Sequence, residues 1–126
     1  MEKPIRILLV EDDTALCELL AMLFQDEGYE FQIHQDTADI CSLVKIFNPT
    51  VVLLDYKLPS TTGGKLCLML RADSETANIP VIIYSAISSV QLPVEKFNCN
   101  SFLEKPFDLE ELIEVIERHT YVTVNS

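Results

Sequence analysis

The sequence predicts an α/β protein built on one doubly wound parallel sheet, and three observations carry that prediction. Short apolar runs alternate with stretches of helical periodicity along the chain. The third run, Val-Val-Leu-Leu at residues 51–54, is apolar throughout, as expected of a parallel strand covered on both faces. No linker, repeat or low-complexity tract interrupts the 126 residues. One domain is therefore expected to fill residues 1–126, with its core at about 4–120 and a short tail at 121–126. With 48% hydrophobic residues, a chain of this length buries a core without disulfides or a structural metal.

Each element has its own signal. Residues 5–10 (IRILLV) are a strand-length apolar run. Leu16, Leu19, Leu20, Leu23 and Phe24 then recur at helical spacing, with Asp13 or Thr14 as N-cap and Gly28 as the stop. Residues 31–34 read as a short second strand. A second helix over 37–47 carries Ile40, Leu43, Val44 and Phe47 on one side and halts at Asn48-Pro49. After the third strand, a loop with Pro59 and Gly63-Gly64 leads to a third helix around 65–71. Residues 81–84 (VIIY) form a fourth strand, introduced by Pro80, and 101–104 a shorter fifth. The last helix is the clearest: Asp108 caps it, Glu111 completes a capping box, and Leu109, Leu112, Ile113 and Ile116 make its apolar stripe. Between 87 and 100, Pro93 interrupts any long helix, so a short or irregular one is expected.

Charge and composition exclude several classes. Lys plus Arg number 9 against 20 Asp plus Glu, a formal charge of −11. Such a surface repels phosphate backbones and anionic lipid, so direct nucleic-acid and membrane binding are not expected, and protein partners and cations are. No apolar run approaches the roughly 20 residues that span a bilayer, and the start lacks signal-peptide character, so the expected location is the cytoplasm. Cys17, Cys41, Cys67 and Cys99 form no close pair and read as reduced packing residues.

In open parallel sheets, ligands bind beyond the carboxyl ends of the strands. Glu11, Asp12 and Asp13 follow the first strand, Asp55 the third, Ser85 the fourth, and Lys105-Pro106 the fifth. Groups scattered in sequence thus gather on one edge. Carboxylates this close repel one another and call for a cation. Hard oxygen donors with open positions suit Mg²⁺. A lysine and a hydroxyl nearby would stabilise a phosphoryl group in transfer. Together they make a site for acyl-phosphate formation and hydrolysis.

On these residues the chain resembles a receiver domain of two-component signalling, of the chemotaxis-regulator type. The matching pieces are Glu11-Asp12 after ILLV, Asp55 in VVLLDYKLPSTTGG, Ser85-Ala86 after VIIY, and Phe102 with Lys105-Pro106 in SFLEKPF. The pattern Asp-x-x-Leu-Pro-x-x-x-Gly runs from Asp55 to Gly63. The resemblance implies a flavodoxin-like (βα)5 fold with strand order 2-1-3-4-5. It implies that Asp55 accepts the phosphoryl group, that Asp12 binds Mg²⁺ directly and Glu11 mainly through water, and that the Lys57 backbone carbonyl adds a ligand. Ser85 would donate to the phosphoryl group and move on activation, Lys105 would pair with a phosphoryl oxygen, and Phe102 would turn inward. The Lys105–Pro106 peptide would be cis, and Gly63 would be structural. The implied partners are a sensor histidine kinase or histidine phosphotransfer protein and an unknown downstream protein. The implied state is a monomer or a phosphorylation-dependent homodimer. The domain would catalyse only its own phosphorylation and dephosphorylation, with no external substrate pool.

Singly, each piece has an ordinary reading. Carboxylates before a helix are often caps, and Asp13 fits that role. Asp55 alone could be a turn residue, Phe102 a core aromatic, and His34 and His119 have no partner at metal spacing. A haloacid-dehalogenase-type phosphatase also uses a strand-end aspartate but wants a second acid two residues on, where Lys57 stands. A flavodoxin-like cofactor protein would need a phosphate-binding loop where VEDD lies. A pseudo-receiver that has lost phosphorylation is countered by Glu11, Asp12, Asp55, Ser85 and Lys105. Only residues 121–126 follow the last helix, so no output domain is expected within these 126 residues, and the receiver either stands alone or is cut from a longer hybrid kinase or regulator. The chain departs from the family at Asn98-Cys99-Asn100, where a glycine-alanine pair is usual, and in its short segment after Ile87.

Overall fold

A computed structural model describes residues 4–121, with side chains through Thr120. Strands β1 (Arg6–Val10), β2 (Glu30–His34), β3 (Val51–Asp55), β4 (Val81–Ser85) and β5 (Ser101–Glu104) alternate with helices α1 (Thr14–Asp26), α2 (Ile40–Phe47), α3 (Gly63–Ala72), α4 (Val94–Phe97) and α5 (Leu109–Tyr121). All paired strands are parallel, in the order β2-β1-β3-β4-β5, as expected.

Strand alternation divides the apolar residues into two layers. Ile7 and Leu9 of β1, Val51 and Leu53 of β3, and Ile82 and Tyr84 of β4 pack with α1 and α5. Leu8, Val10, Val52, Leu54, Val81 and Ile83 pack with α2, α3 and α4. Each of these strand residues is wholly buried, and a buried Leu or Ile stabilises the fold by about 2 kcal/mol.

Several boundaries follow capping chemistry that hydrophobic spacing does not reveal. The Asp13 carboxylate accepts the Leu16 N–H at 3.2 Å, which settles the first N-cap. Gly28 lies just past α1 at φ +77, a conformation that suits glycine. The second helix begins at Ile40, not at residue 37. Asp39 caps it by accepting the Ser42 N–H, while Thr37 Oγ1 accepts the Asp39 N–H and holds the preceding turn. The third helix starts earlier than expected, with Gly63 and Gly64 in its first turn behind the Thr62 cap. Close packing explains these glycines. A Cβ on Gly63 would stand 2.6 Å from the Asp55 carbonyl oxygen, and one on Gly64 would stand 2.6 Å from the Phe97 ring.

Helix α4 is one turn long, as Pro93 foretold. Asn98 then takes φ 60, and Asn100 Oδ1 accepts the Val81 N–H at 2.8 Å, so the two asparagines shape the turn into β5. The Asp108 carbonyl accepts the Leu112 N–H at the start of α5. That helix runs through Tyr121, where a tail was expected, and residues 122–126 lie outside the described part. The Lys105–Pro106 peptide is cis.

Two arginines tie the amino-terminal edge of the sheet. Arg6 donates to the Phe47 and Asn48 carbonyls at 2.6 and 3.3 Å and to Glu30 at 2.7 Å, with its guanidinium 4.3 Å from the Phe47 ring centre. Arg71 donates to the carbonyls of Ala77, Ile79 and Asn98 and to Asn100 Oδ1. It thereby fastens the loop before β4 to the turn before β5.

Candidate functional site

The opposite edge gathers the polar residues singled out above. Glu11 and Asp12 follow β1, Asp55 and Ser85 end β3 and β4, and Lys105 follows β5. Backbone pairing continues just past the strands: Glu11 N–H donates to His34 O, Tyr56 N–H to Tyr84 O, and Lys105 N–H to Ser85 O, at 2.8 to 2.9 Å. The side chains therefore leave a rigid rim. Together with Lys57 and Pro59 they line an open cleft of about 420 Å³.

After Asp55 the chain doubles back. Lys57 bridges to Thr62, and the Gly63 N–H donates to Tyr56 O at 2.7 Å. This narrow turn puts Lys57 on the wall of the cleft and seats Gly63 against the Asp55 carbonyl.

Electrostatics dominate the cleft. Glu11 is wholly buried, Asp55 is 6% exposed, and Asp12 faces solvent. One carboxylate oxygen from each lies within 4.8 Å of the others. Lys105 Nζ stands 3.7 Å from both Glu11 Oε1 and Asp55 Oδ2, too far for a direct hydrogen bond. Burial pushes the Asp55 carboxyl up to about 7, the Glu11 charge adds to this, and Lys105 opposes it. Such a site gains from a dication. Three hard oxygen donors, one of them at the solvent side with room for water, fit Mg²⁺.

Ser85 is 2% exposed, and its hydroxyl accepts the Ile87 N–H at 2.9 Å, which fixes the start of the β4–α4 loop. Phe102 is half-buried on β5 and packs with the α2–α4 layer, away from the cleft groups. Asp13 is the expected cap, and its N–H also donates to Glu11 Oε2 at 2.9 Å. His34 pairs with Gln32 and His119 with Ser101, so neither joins the site. Tyr84 was not singled out from the sequence. Its hydroxyl donates to Glu11 Oε1 at 2.5 Å, and its ring lies 5.0 Å from Lys105 Nζ. In the sequence it is only the aromatic end of an apolar strand; its place immediately before Ser85 was the available signal.

Comparison with known proteins agrees with this geometry. A family model described as the response regulator receiver domain matches residues 7–117. The chain is 34% identical over 110 residues to the DNA-binding dual master transcriptional regulator RpaA of Synechocystis, covering 86% of this chain and 46% of that protein. It thus spans about half the length of the curated relatives it matches. The Francisella response regulator 1452 receiver domain superposes with a TM-score of 0.84 at 27% identity, over 96% of this chain and 99% of its own. A receiver domain of a Pseudomonas aeruginosa sensor histidine kinase, with magnesium coordinated in its active-site cleft, shares the fold at a TM-score of 0.83 and 22% identity, over 94% and 98% of the two chains.

Proposed function

The chain belongs to the response regulator receiver domain family, and from that premise we propose that it is a phosphorylation switch whose acceptor is Asp55. The carrying observation is the convergence of Asp55, Glu11, Asp12, Ser85 and Lys105 on one cleft from four different strand ends. Ser85 and Glu11 also hold local backbone, but that role does not call for buried Asp55 or for Lys105 facing both acids beyond hydrogen-bond distance.

In this reading a phosphohistidine of a sensor kinase or phosphotransfer protein meets Asp55. A carboxylate oxygen of Asp55 attacks phosphorus, the new P–O bond forms as the P–N bond breaks, and the imidazole leaves and takes up a proton. Glu11, Asp12, Asp55 and the Lys57 carbonyl would hold Mg²⁺, which supplies positive charge beside the transferring oxygens. Lys105 meets a phosphoryl oxygen. Ser85 gives up the Ile87 N–H to donate its own proton to another, so the β4–α4 loop shifts and the face around Phe102 repopulates. A differential of about 5.5 kcal/mol suffices to invert a balance of about 1:99. The apolar depression beside the cleft, walled by Leu16, Leu19, Pro106 and Phe107, supports docking of the donor there. The chain acts on itself and turns over no external substrate.

The test is covalent. With acetyl phosphate and Mg²⁺ the protein should gain one hydroxylamine-labile phosphoryl group, and Asp55→Asn should gain none. Full labelling of Asp55→Asn would remove Asp55 from this role.

A further inference from the structure

One buried polar contact at the cleft has no part in that chemistry. Tyr84 is fully buried, and its ring meets Phe107 edge to face at 5.4 Å within the α1–α5 layer. From there its hydroxyl reaches Glu11 Oε1. The same ring faces the Lys105 ammonium. One ammonium is thus placed evenly between two buried carboxylates, at 3.7 Å from each. The donors that each carboxylate already has decide which way it leans. Glu11 is well supplied, because Oε2 takes the Asp13 N–H and Oε1 takes the Tyr84 hydroxyl.

Resting on the reading of Asp55 as phosphoacceptor, we propose that Tyr84 is a positioning residue that keeps Lys105 available to Asp55. Its hydroxyl satisfies Glu11 Oε1, and its ring seats the ammonium between the two acids. A buried carboxylate oxygen that loses its donor takes the nearest one left. For Glu11 Oε1 that is Lys105 Nζ. A lysine drawn onto Glu11 is no longer placed to meet the oxygens of an arriving phosphoryl group. The electrostatic division of labour is therefore set by a strand residue that touches neither phosphate nor metal.

Ring and hydroxyl can be separated. Tyr84→Phe keeps the ring under Lys105 and against Phe107 and removes only the donor. In the full chain at saturating Mg²⁺, labelling by acetyl phosphate should slow about tenfold, the lower end of what a hydrogen bond to a charged group is worth. Without any phosphoryl donor, the side-chain ¹⁵Nζ resonance of Lys105, assigned by its loss in Lys105→Arg, should shift. In a Glu11→Gln background, Tyr84→Phe should slow labelling no further, because the effect runs through Glu11. Labelling of Tyr84→Phe at the wild-type rate overturns the proposal, as does an equal slowing in both backgrounds, which is the mark of a packing role. If the wild-type chain does not label, the phosphoacceptor reading is what fails. The Lys105 resonance then decides alone, and an unmoved signal rejects Tyr84.

Discussion

At the amino-terminal edge of the sheet two arginines meet their oxygen partners at hydrogen-bond distance, mostly backbone carbonyls, whereas at the carboxyl-terminal edge one lysine faces two carboxylates at 3.7 Å. A cationic side chain serves opposite purposes at the two edges, from the start of β1 and the last turn of α3 at one and from just past β5 at the other. Arg6 and Arg71 use the planar fork of the guanidinium to close loops onto the fold. Lys105 is left short of full contact among excess negative charge, and the burial of Asp55 makes that shortfall felt. A protein that must capture a charged group has to leave the capturing edge incomplete, and the other edge carries the compensating order.

Lys105→Met gives the largest expected effect that would sharpen this contrast. Labelling by acetyl phosphate should fall by about a hundredfold or more, as for other preorganised charge stabilisers. Denaturant unfolding of the same variant should change far less. A labelling rate within a few-fold of wild type would erase the distinction between the edges.

The pH response comes next. Burial and the neighbouring Glu11 charge push the folded Asp55 carboxyl up from the ordinary 3.8 to about 7. The folded carboxyl keeps a proton that the unfolded chain releases, so its stabilising contribution is complete below the unfolded value. That contribution is lost as the pH rises through about 7. Relative to Asp55→Asn, the metal-free wild-type chain should therefore lose up to a few kcal/mol between about pH 4 and pH 7.5. Mg²⁺ should restore most of it. Parallel thermal-melting curves for the two proteins in chelator would contradict the raised Asp55 value.

Arg71→Met should have the smallest effect, and it lies at the other edge. Unfolding in urea should register a loss of about 2 kcal/mol, because partly exposed carbonyls recover water in place of the guanidinium. Labelling should stay within about twofold of wild type if the arginine edge acts on stability alone. A large loss of labelling would mean that the two edges are coupled through β4 and β5.

The sequence made the capturing edge legible and the ordered edge almost invisible. Glu11, Asp55, Ser85 and Lys105 each adjoin an apolar strand in the chain, so strand-end logic places them together without any knowledge of contacts. Arg6 and Arg71 find their partners across the fold, at Phe47 and at Asn98 to Asn100, and no local spacing announces that. Tyr84 was hidden differently. Its apolar body satisfies the strand pattern, and only its hydroxyl belongs to the site. The start of α2 was read too early because apolar spacing does not see an aspartate cap, and Gly63-Gly64 looked like loop because turn chemistry and close packing select the same residue.

That last ambiguity bears on how the domain can vary. Every other amino acid carries a Cβ, so any missense change at Gly63 presses on the backbone of Asp55, and any at Gly64 presses on the ring that seats α4. In a saturation-mutagenesis screen for signalling, Gly63 should be depleted as severely as Asp55 itself, because its obstacle is fixed backbone, and Gly64 less so, because its obstacle is a side-chain ring. Protein abundance tells them apart. Variants of Asp55 should accumulate normally and fail to signal, whereas variants of Gly63 should be lost before signalling is ever asked of them, and those of Gly64 only in part.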